Sequence, residues 1–414
     1  MKSNQLLQNQ RLKVSDNPPY DALGAFVRDN HIALHGSSSG PLSDLVFAVK
    51  DVFMVKGSTF GNGHPDWLRT HEPDKYTASS IITLLDHGAD LVGKTVCDEL
   101  CFSISGENWN YGSPLNPHDV RRFTGGSSSG SAAATAGGFI DFSTGSDCLG
   151  SVRVPAAYNG LFGMRPTYKR VKNDGEAPYC ESMDVLGYVA SSPEVFSRVS
   201  NVLLGPDAIE TTLDNLYIPL DCFEGLDEQV IKAMNSVIST LSTMVKTTTE
   251  FNVAEEGLEK WMDTFRIIQG YEVWESYGGW IHQVRPKLSR GPKERLAWAS
   301  TIARHQYLTE VEHRRRTIEQ FQQRFPFNGV MILPTTSSVA PLRTESLERI
   351  NAHRAKSTQL LCVSPLTNTP QITLPLLEID GVPFGVTLIS REGTDSALVE
   401  LGLSLAKTFK QHTT

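Results

Sequence analysis

Residues 122–167 read RFTGGSSSGSAAATAGGFIDFSTGSDCLGSVRVPAAYNGLFGMRPT. Glycine, serine and alanine crowd the first half so densely that bulky side chains are nearly absent, yet the stretch ends in an apolar, proline-punctuated run suited to a core. A flexible linker would not end that way. Glycine lets a ligand or a second chain segment approach the main chain, so two Gly/Ser clusters within 46 residues point to a site built from backbone.

Around this stretch the pattern alternates strand and helix. LSDLVFAVKDVFMVKG (42–57) is apolar and β-branched and reads as strands, with Lys50 lodged in that apolar setting. TASSIITLLDH (77–87) carries a helix start, helical spacing and Gly88 as its stop, and ADLVGKTVCDEL (89–100) follows as a short strand and turn. SAAATAGG (131–138) is a small-residue helix opening directly from the Gly/Ser loop. Residues 226–245 and 293–325 carry the longest helical patterns, and 329–341, 370–390 and 396–409 return to strands, a turn at IDGVP and a closing helix. The expected fold class is α/β, with a mixed, largely parallel central sheet flanked by helices on both faces. Residues 1–40 read as a polar N-terminal arm, and 41–414 as a single domain with a helical insertion at about 225–325.

The totals fit a globular chain of 414 residues, 40% hydrophobic and 20% charged. A net charge of −8 gives no basic footprint for nucleic acid or an anionic membrane. HRRRT (313–317) lies among Glu310, Glu312 and Glu319 and reads as a solvated, salt-bridged helix face. Six scattered cysteines without a CxxC pair suggest neither a disulfide framework nor a zinc site and agree with a reducing compartment. No secretory h-region or apolar span of about 18 residues is present, so the expected location is cytoplasmic.

The chemistry can be read in three places. GSSSG at 126–130 matches the G-x-S-x-G nucleophile elbow, but so does GSSSG at 36–40, and polar RRFTG precedes the first where a buried strand is needed. Gly and Ser amides opening a helix instead suit an anion-friendly concavity. SDCLGSVRVPA (146–156) has the form of an oxyanion site, a glycine turn of backbone N–H groups ending at Ser151. Ser151 as nucleophile needs a base; no flanking histidine is placed to serve, whereas Lys50 could have its pKa lowered by desolvation. A lysine snorkelling from an edge strand is the competing explanation for Lys50.

VKD around Lys50, GGSSSGSAAA (125–134) and D-x-x-G-S-x-R-x-P-A (147–156) resemble the amidase signature family in order and spacing, with Ser127 and Ser151 separated by 24 residues. KT and DE within 94–99, GSPLNP (112–117), GLFGMRPT (160–167), SMDVLGYVA (182–190), LPTT (333–336) and IDGVPFGVTLI (379–389) extend the resemblance over residues 42–409. It implies the amidase signature fold and a catalytic set of Lys50, Ser127 and Ser151, with the Gly126–Ser127 peptide cis. Neutral Lys50 would draw the proton of Ser127 as Ser127 draws that of Ser151, and an acyl-enzyme would be hydrolysed by water. Backbone N–H groups of Cys148, Leu149, Gly150 and Ser151 would hold the oxyanion, with Gly126, Ser128, Asp147 and Arg153 in support. No metal or organic cofactor is implied.

GHPDWLRTH (63–71) and ISGENWNYGSPLNP (104–117) resemble compact plant amidases of indole-3-acetamide. The implied activity is hydrolysis of a small carboxamide, an arylacetamide such as indole-3-acetamide, to the carboxylate plus ammonia or an amine. The same subgroup resembles amidase-like modules of import receptors that only bind, so a catalytically weak or inactive binding module is the alternative. Leu149 departs from the family's usual D-T-G-G-S, and its side chain must either narrow the acyl pocket or shift the turn. The expected partner is a small-molecule amide, with no nucleic acid and no membrane; a homodimer stays open.

Overall fold

Lys50 ends a fully buried strand, β1 (Val46–Lys50), that lies between β2 (Asp90–Thr95) and β3 (Phe142–Asp147). Apolar runs buried on both faces are what a central strand requires. The chain continues through β4 (Phe162–Arg165), β5 (Val185–Ala190), β6 (Asn215–Pro219) and β7 (Thr247–Phe251). It then adds β8 (Gly329–Pro334), β9 (Gln371–Ile379) and β10 (Val382–Ser390). Together they form one sheet of 10 strands in the order β2-β1-β3-β5-β4-β9-β10-β8-β6-β7. The computed structural model describes residues 11–413.

The sheet is mixed, as expected, but its parallel pairs sit at the two ends. β1 pairs in parallel with β2 and β3, and β6 with β7 and β8, where helices make the crossovers. From β3 through β5, β4, β9 and β10 to β8 every pairing is antiparallel. The β9–β10 hairpin turns on Asp380 and Gly381, with φ of 53° and 73°, the doubly positive turn that matches strand twist.

The segment read as a polar arm is packed over residues 21–34. Leu23, Ala25, Phe26 and Val27 are buried, and bridges from Phe26 to Thr95 and from Leu34 to Leu91 cover the edge of β2. Residues 1–10 of that arm lie outside the described residues. The helical stretch at 225–325 is also interrupted. After the helix Glu228–Ser242 the polar run TTTEF forms β7 and extends the sheet. The helices Leu258–Val284, Arg290–Ala299 and Arg304–Arg324 follow. On the last of these, Arg315 pairs with Glu312 and Glu319 at the surface as expected. Arg314 instead points inward and donates to the carbonyls of Ser182 and Pro365, and His313 is buried beside Glu256 and Glu310. All six cysteines are buried and free.

Candidate active site

β3 delivers Asp147 to the base of the turn Cys148–Val152, and its carboxylate organises everything after it. Oδ1 accepts the Gly150 amide at 2.8 Å, and Oδ2 accepts the amides of Val152 at 3.0 Å and Arg153 at 3.3 Å. The Arg153 guanidinium adds two hydrogen bonds at 2.8 and 3.0 Å, and Arg165 approaches from β4. Burial alone would raise the Asp147 pKa, but Arg153 and Arg165 hold it well below the usual carboxylate range.

Gly150 takes φ +116°, and a Cβ there would meet the Leu361 side chain at 2.8 Å, so glycine is required at this position. Leu149 is absent from the positive-φ residues, which is why a leucine fits one position earlier without straining the turn. The amides grouped at sequence level as Cys148, Leu149, Gly150 and Ser151 are not equivalent. That of Gly150 is taken by Asp147, whereas those of Cys148, Leu149 and Ser151 find no intramolecular acceptor among the described residues.

Lys50, entirely buried at the end of β1, donates through Nζ to Ser127 Oγ at 2.8 Å and to Ser146 Oγ at 2.6 Å. The Gly126–Ser127 peptide is cis. Gly126 lies against Asp98, where any side chain would collide with the carboxylate, and Asp98 N–H holds the Ser127 carbonyl at 3.1 Å. Ser128 N–H donates to the Ser151 carbonyl at 3.0 Å, tying the two serine segments together by backbone. The Ser128 hydroxyl is buried with no partner among the described residues. No hydrogen bond joins Ser127 Oγ to Ser151 Oγ among the described contacts, so the structure brings Lys50 and Ser127 into contact and leaves Ser151 beside them with its hydroxyl uncommitted.

Burial favours the neutral amine of Lys50, but Cys101, Cys97, Glu176 and Asp184 act the other way, and the net direction of its pKa is upward. The expectation of a lysine kept neutral by desolvation is corrected accordingly: buried acids stabilise the ammonium. Those acids are themselves perturbed. Burial pushes Glu176 up to about 7, and burial with Glu176 nearby pushes Asp184 well above the carboxylate range. Neither they nor Ser146 could be singled out from sequence, because tertiary packing alone brings them to Lys50.

Ser151, 7% exposed, opens on an inner cavity of about 80 Å³ bordered by Phe102, Ile104, Leu149, Tyr179, Arg295 and Arg354. Phe102, Leu149, Gln269, Arg295, Arg354 and Thr358 also line a wider space of about 410 Å³, so a single cleft narrows toward the serine. Leu149 borders both spaces, at the junction between them. GHPDWLRTH contributes nothing to either wall: Trp67 is buried and stacks on His71, with Tyr277 and Trp280 around it. Arg354 and Thr358, from the helix Leu347–Leu361, enter the lining without a sequence signal.

The mixed α/β sheet carries a buried lysine–serine hydrogen bond, and a second serine borders a cavity with no histidine on its wall, the features of an α/β hydrolytic enzyme built without a histidine at this cavity. A family model described as Amidase matches residues 24–399. Amidase 1 of Oryza sativa subsp. japonica is 32% identical over 413 residues, covering 93% of this chain and 95% of that protein. Amidase 1 of Arabidopsis thaliana is 32% identical over 419 residues, with 92% and 98% covered. A crystal structure of an amidase superposes with a TM-score of 0.79 at 26% identity, over 90% of this chain and 85% of its own. The chain belongs to the amidase signature family and is an amidase-family enzyme, a hydrolase acting on linear amides. Among the described residues no helix is long and apolar enough to cross a membrane.

Proposed function

We propose that the protein hydrolyses a small carboxamide with Ser151 as nucleophile, Ser127 as proton relay and Lys50 as base. The observation that carries this reading is the 2.8 Å contact of Lys50 Nζ with Ser127 Oγ in a fully buried setting. Once Lys50 has lost its extra proton it takes that of Ser127, and Ser127 takes that of Ser151. Ser151 Oγ attacks the carbonyl carbon. The oxyanion is stabilised by the free amides of Leu149 and Ser151, with Cys148 adjacent, while Gly150 keeps the turn closed on Asp147. The proton returns through Ser127 to the leaving ammonia or amine, and water releases the carboxylate.

Ser128, Gly126, Asp147 and Arg153 position this machinery. The sheet and the helices between β7 and β8 form one domain in this reading, with the helical insertion roofing the cleft. Six buried free cysteines suit a reducing compartment such as the cytoplasm. Indole-3-acetamide, suggested by the plant-type motifs, is the neutral arylacetamide to test first.

A fluorophosphonate probe should attach covalently to Ser151, located by peptide mass spectrometry, and fail to attach in Lys50→Ala. A folded protein that neither labels nor releases ammonia from any amide would be a binding module instead.

A further inference from the structure

The inner cavity at Ser151 is lined by two arginines and by no acidic residue. Arg295 comes from the helix Arg290–Ala299 and Arg354 from the helix Leu347–Leu361, far apart in sequence and converging on one small space. Both are half-buried, and neither has an acidic partner within ion-pair distance among the described residues. Arg295 Nε is buried without a hydrogen-bond partner, and its guanidinium lies over the Phe102 ring at 5.5 Å from the centroid. Arg354 donates to Asn351 Oδ1 at 2.9 Å. In the wider part of the cleft the one acidic wall residue, Glu294, is engaged by Arg290 at 2.8 Å. Glu107 attracts Arg354 only from beyond ion-pair distance.

Uncompensated positive charge withdrawn from water is costly. A cation–π contact offsets only part of that, ~0.5–2 kcal/mol. Burial first, and the charge of Arg354 second, push the Arg295 pKa down to about 10, consistent with two like charges facing one space. Merely snorkelling arginines would direct their heads to bulk water; these two border the cavity on the serine. A planar anion is what two guanidinium forks accept best.

We propose that the substrate is an amide whose acyl part carries a carboxylate, held by Arg295 and Arg354 while its carboxamide faces Ser151. The inner cavity of about 80 Å³ keeps the spacer short, so the substrate class is the monoamide of a short dicarboxylic acid. The bond from Ser151 Oγ to the carbonyl carbon forms, and the C–N bond breaks. Ammonia leaves with the proton carried by Ser127, and water then replaces Ser151 to give the dicarboxylate. This inference rests on Ser151 as nucleophile and narrows the substrate beyond a neutral arylacetamide.

The test compares ammonia release from succinamate, its neutral analogue butyramide, and indole-3-acetamide. The wild-type kcat/KM should favour succinamate over both neutral amides by at least ~tenfold, because a site built for a charged group discriminates against its absence. Arg295→Gln and Arg354→Gln should each erode that preference, mainly through KM. Succinate should slow fluorophosphonate labelling of the wild-type protein competitively, and less at high salt, a readout that does not depend on the variants folding. Equal or faster turnover of the neutral amides, with no protection by succinate, overturns the inference while labelling of Ser151 preserves the amidase reading. No labelling and no turnover overturn both.

Discussion

The guanidinium of Arg153 closes on the carboxylate of Asp147 through Nη2 to Oδ1 at 2.8 Å and Nε to Oδ2 at 3.0 Å, entirely out of contact with solvent. The same carboxylate carries the Gly150 and Val152 amides, so one buried ion pair holds the nucleophile turn in shape. Removing one partner of such a pair costs ~3–5 kcal/mol where the charge left behind is uncompensated; here Arg165 stays on the same carboxylate, so the cost falls at or below the lower end of that range.

Arg153→Met is therefore expected to lower the free energy of unfolding, read from a denaturant titration, by up to ~3 kcal/mol and to slow labelling of Ser151. The acid limb of stability should move as well. The Asp147 pKa is depressed on folding, so its contribution is complete above the unfolded value, ~3.9, and is lost as pH falls through the folded one. With Arg153 gone the depression shrinks, and acid unfolding begins at higher pH. A midpoint and an acid limb both unchanged would show that the pair does not brace the turn.

A second expectation concerns the base. Because buried acids raise the Lys50 pKa, activity should climb from neutral toward alkaline pH as the ammonium loses its proton. Glu176→Gln removes one of those acids, and the alkaline rise should then start at lower pH. The pH dependence of Ser151 labelling reads this directly; an identical profile in the variant would exclude Glu176 as a charge acting on Lys50.

Leu149 tests the pocket. Its φ is not positive, so Leu149→Gly gains nothing from the turn and loses ~0.5–1 kcal/mol to backbone entropy. The passage to Ser151 should widen, however, and turnover should shift toward amides with bulkier acyl groups, measured as the kcat/KM ratio of long to short substrates. Gly150→Ala is expected to fail differently, because a Cβ there meets Leu361 and the backbone is in the glycine region. It should lower both stability and labelling whatever the substrate.

The two Gly/Ser clusters were legible in sequence because their demands are local: glycine where the chain turns or approaches closely, serine and aspartate at fixed offsets. The hairpin at Asp380–Gly381 and the buried strands were legible for the same reason. Ser146, Glu176, Asp184, Arg295 and Arg354 were not, since only sheet pairing and helix packing bring them to the site. Lys50 and Ser146, for example, are 96 residues apart and meet because β1 lies beside β3. The helix Leu258–Val284 falls inside the helical insertion expected at 225–325, but Gly270, Gly278 and Gly279 in an aromatic run masked its length, although it buries Trp261, Phe265, Ile268 and Tyr277 on its inner side. The packed segment 21–34 has too few apolar residues in regular alternation to betray that it covers an edge.

Ser146 offers the sharpest separation of positioning from proton transfer. Its hydroxyl accepts from Lys50 Nζ at 2.6 Å and so both aims the amine and stabilises its charged form. Ser146→Ala should lower the maximal labelling rate by roughly tenfold, below the ~10²–10⁴ contribution of a proton-transferring group, which Ser127→Ala should forfeit instead. Loss of an acceptor to the ammonium should also lower the Lys50 pKa, so the alkaline rise should begin earlier in Ser146→Ala. A group that merely fills space would reduce the rate without moving the profile. If the profile stays where it is in the wild type while the rate falls, Ser146 packs against Lys50 but does not hold its proton, and the base is tuned by the buried acids alone.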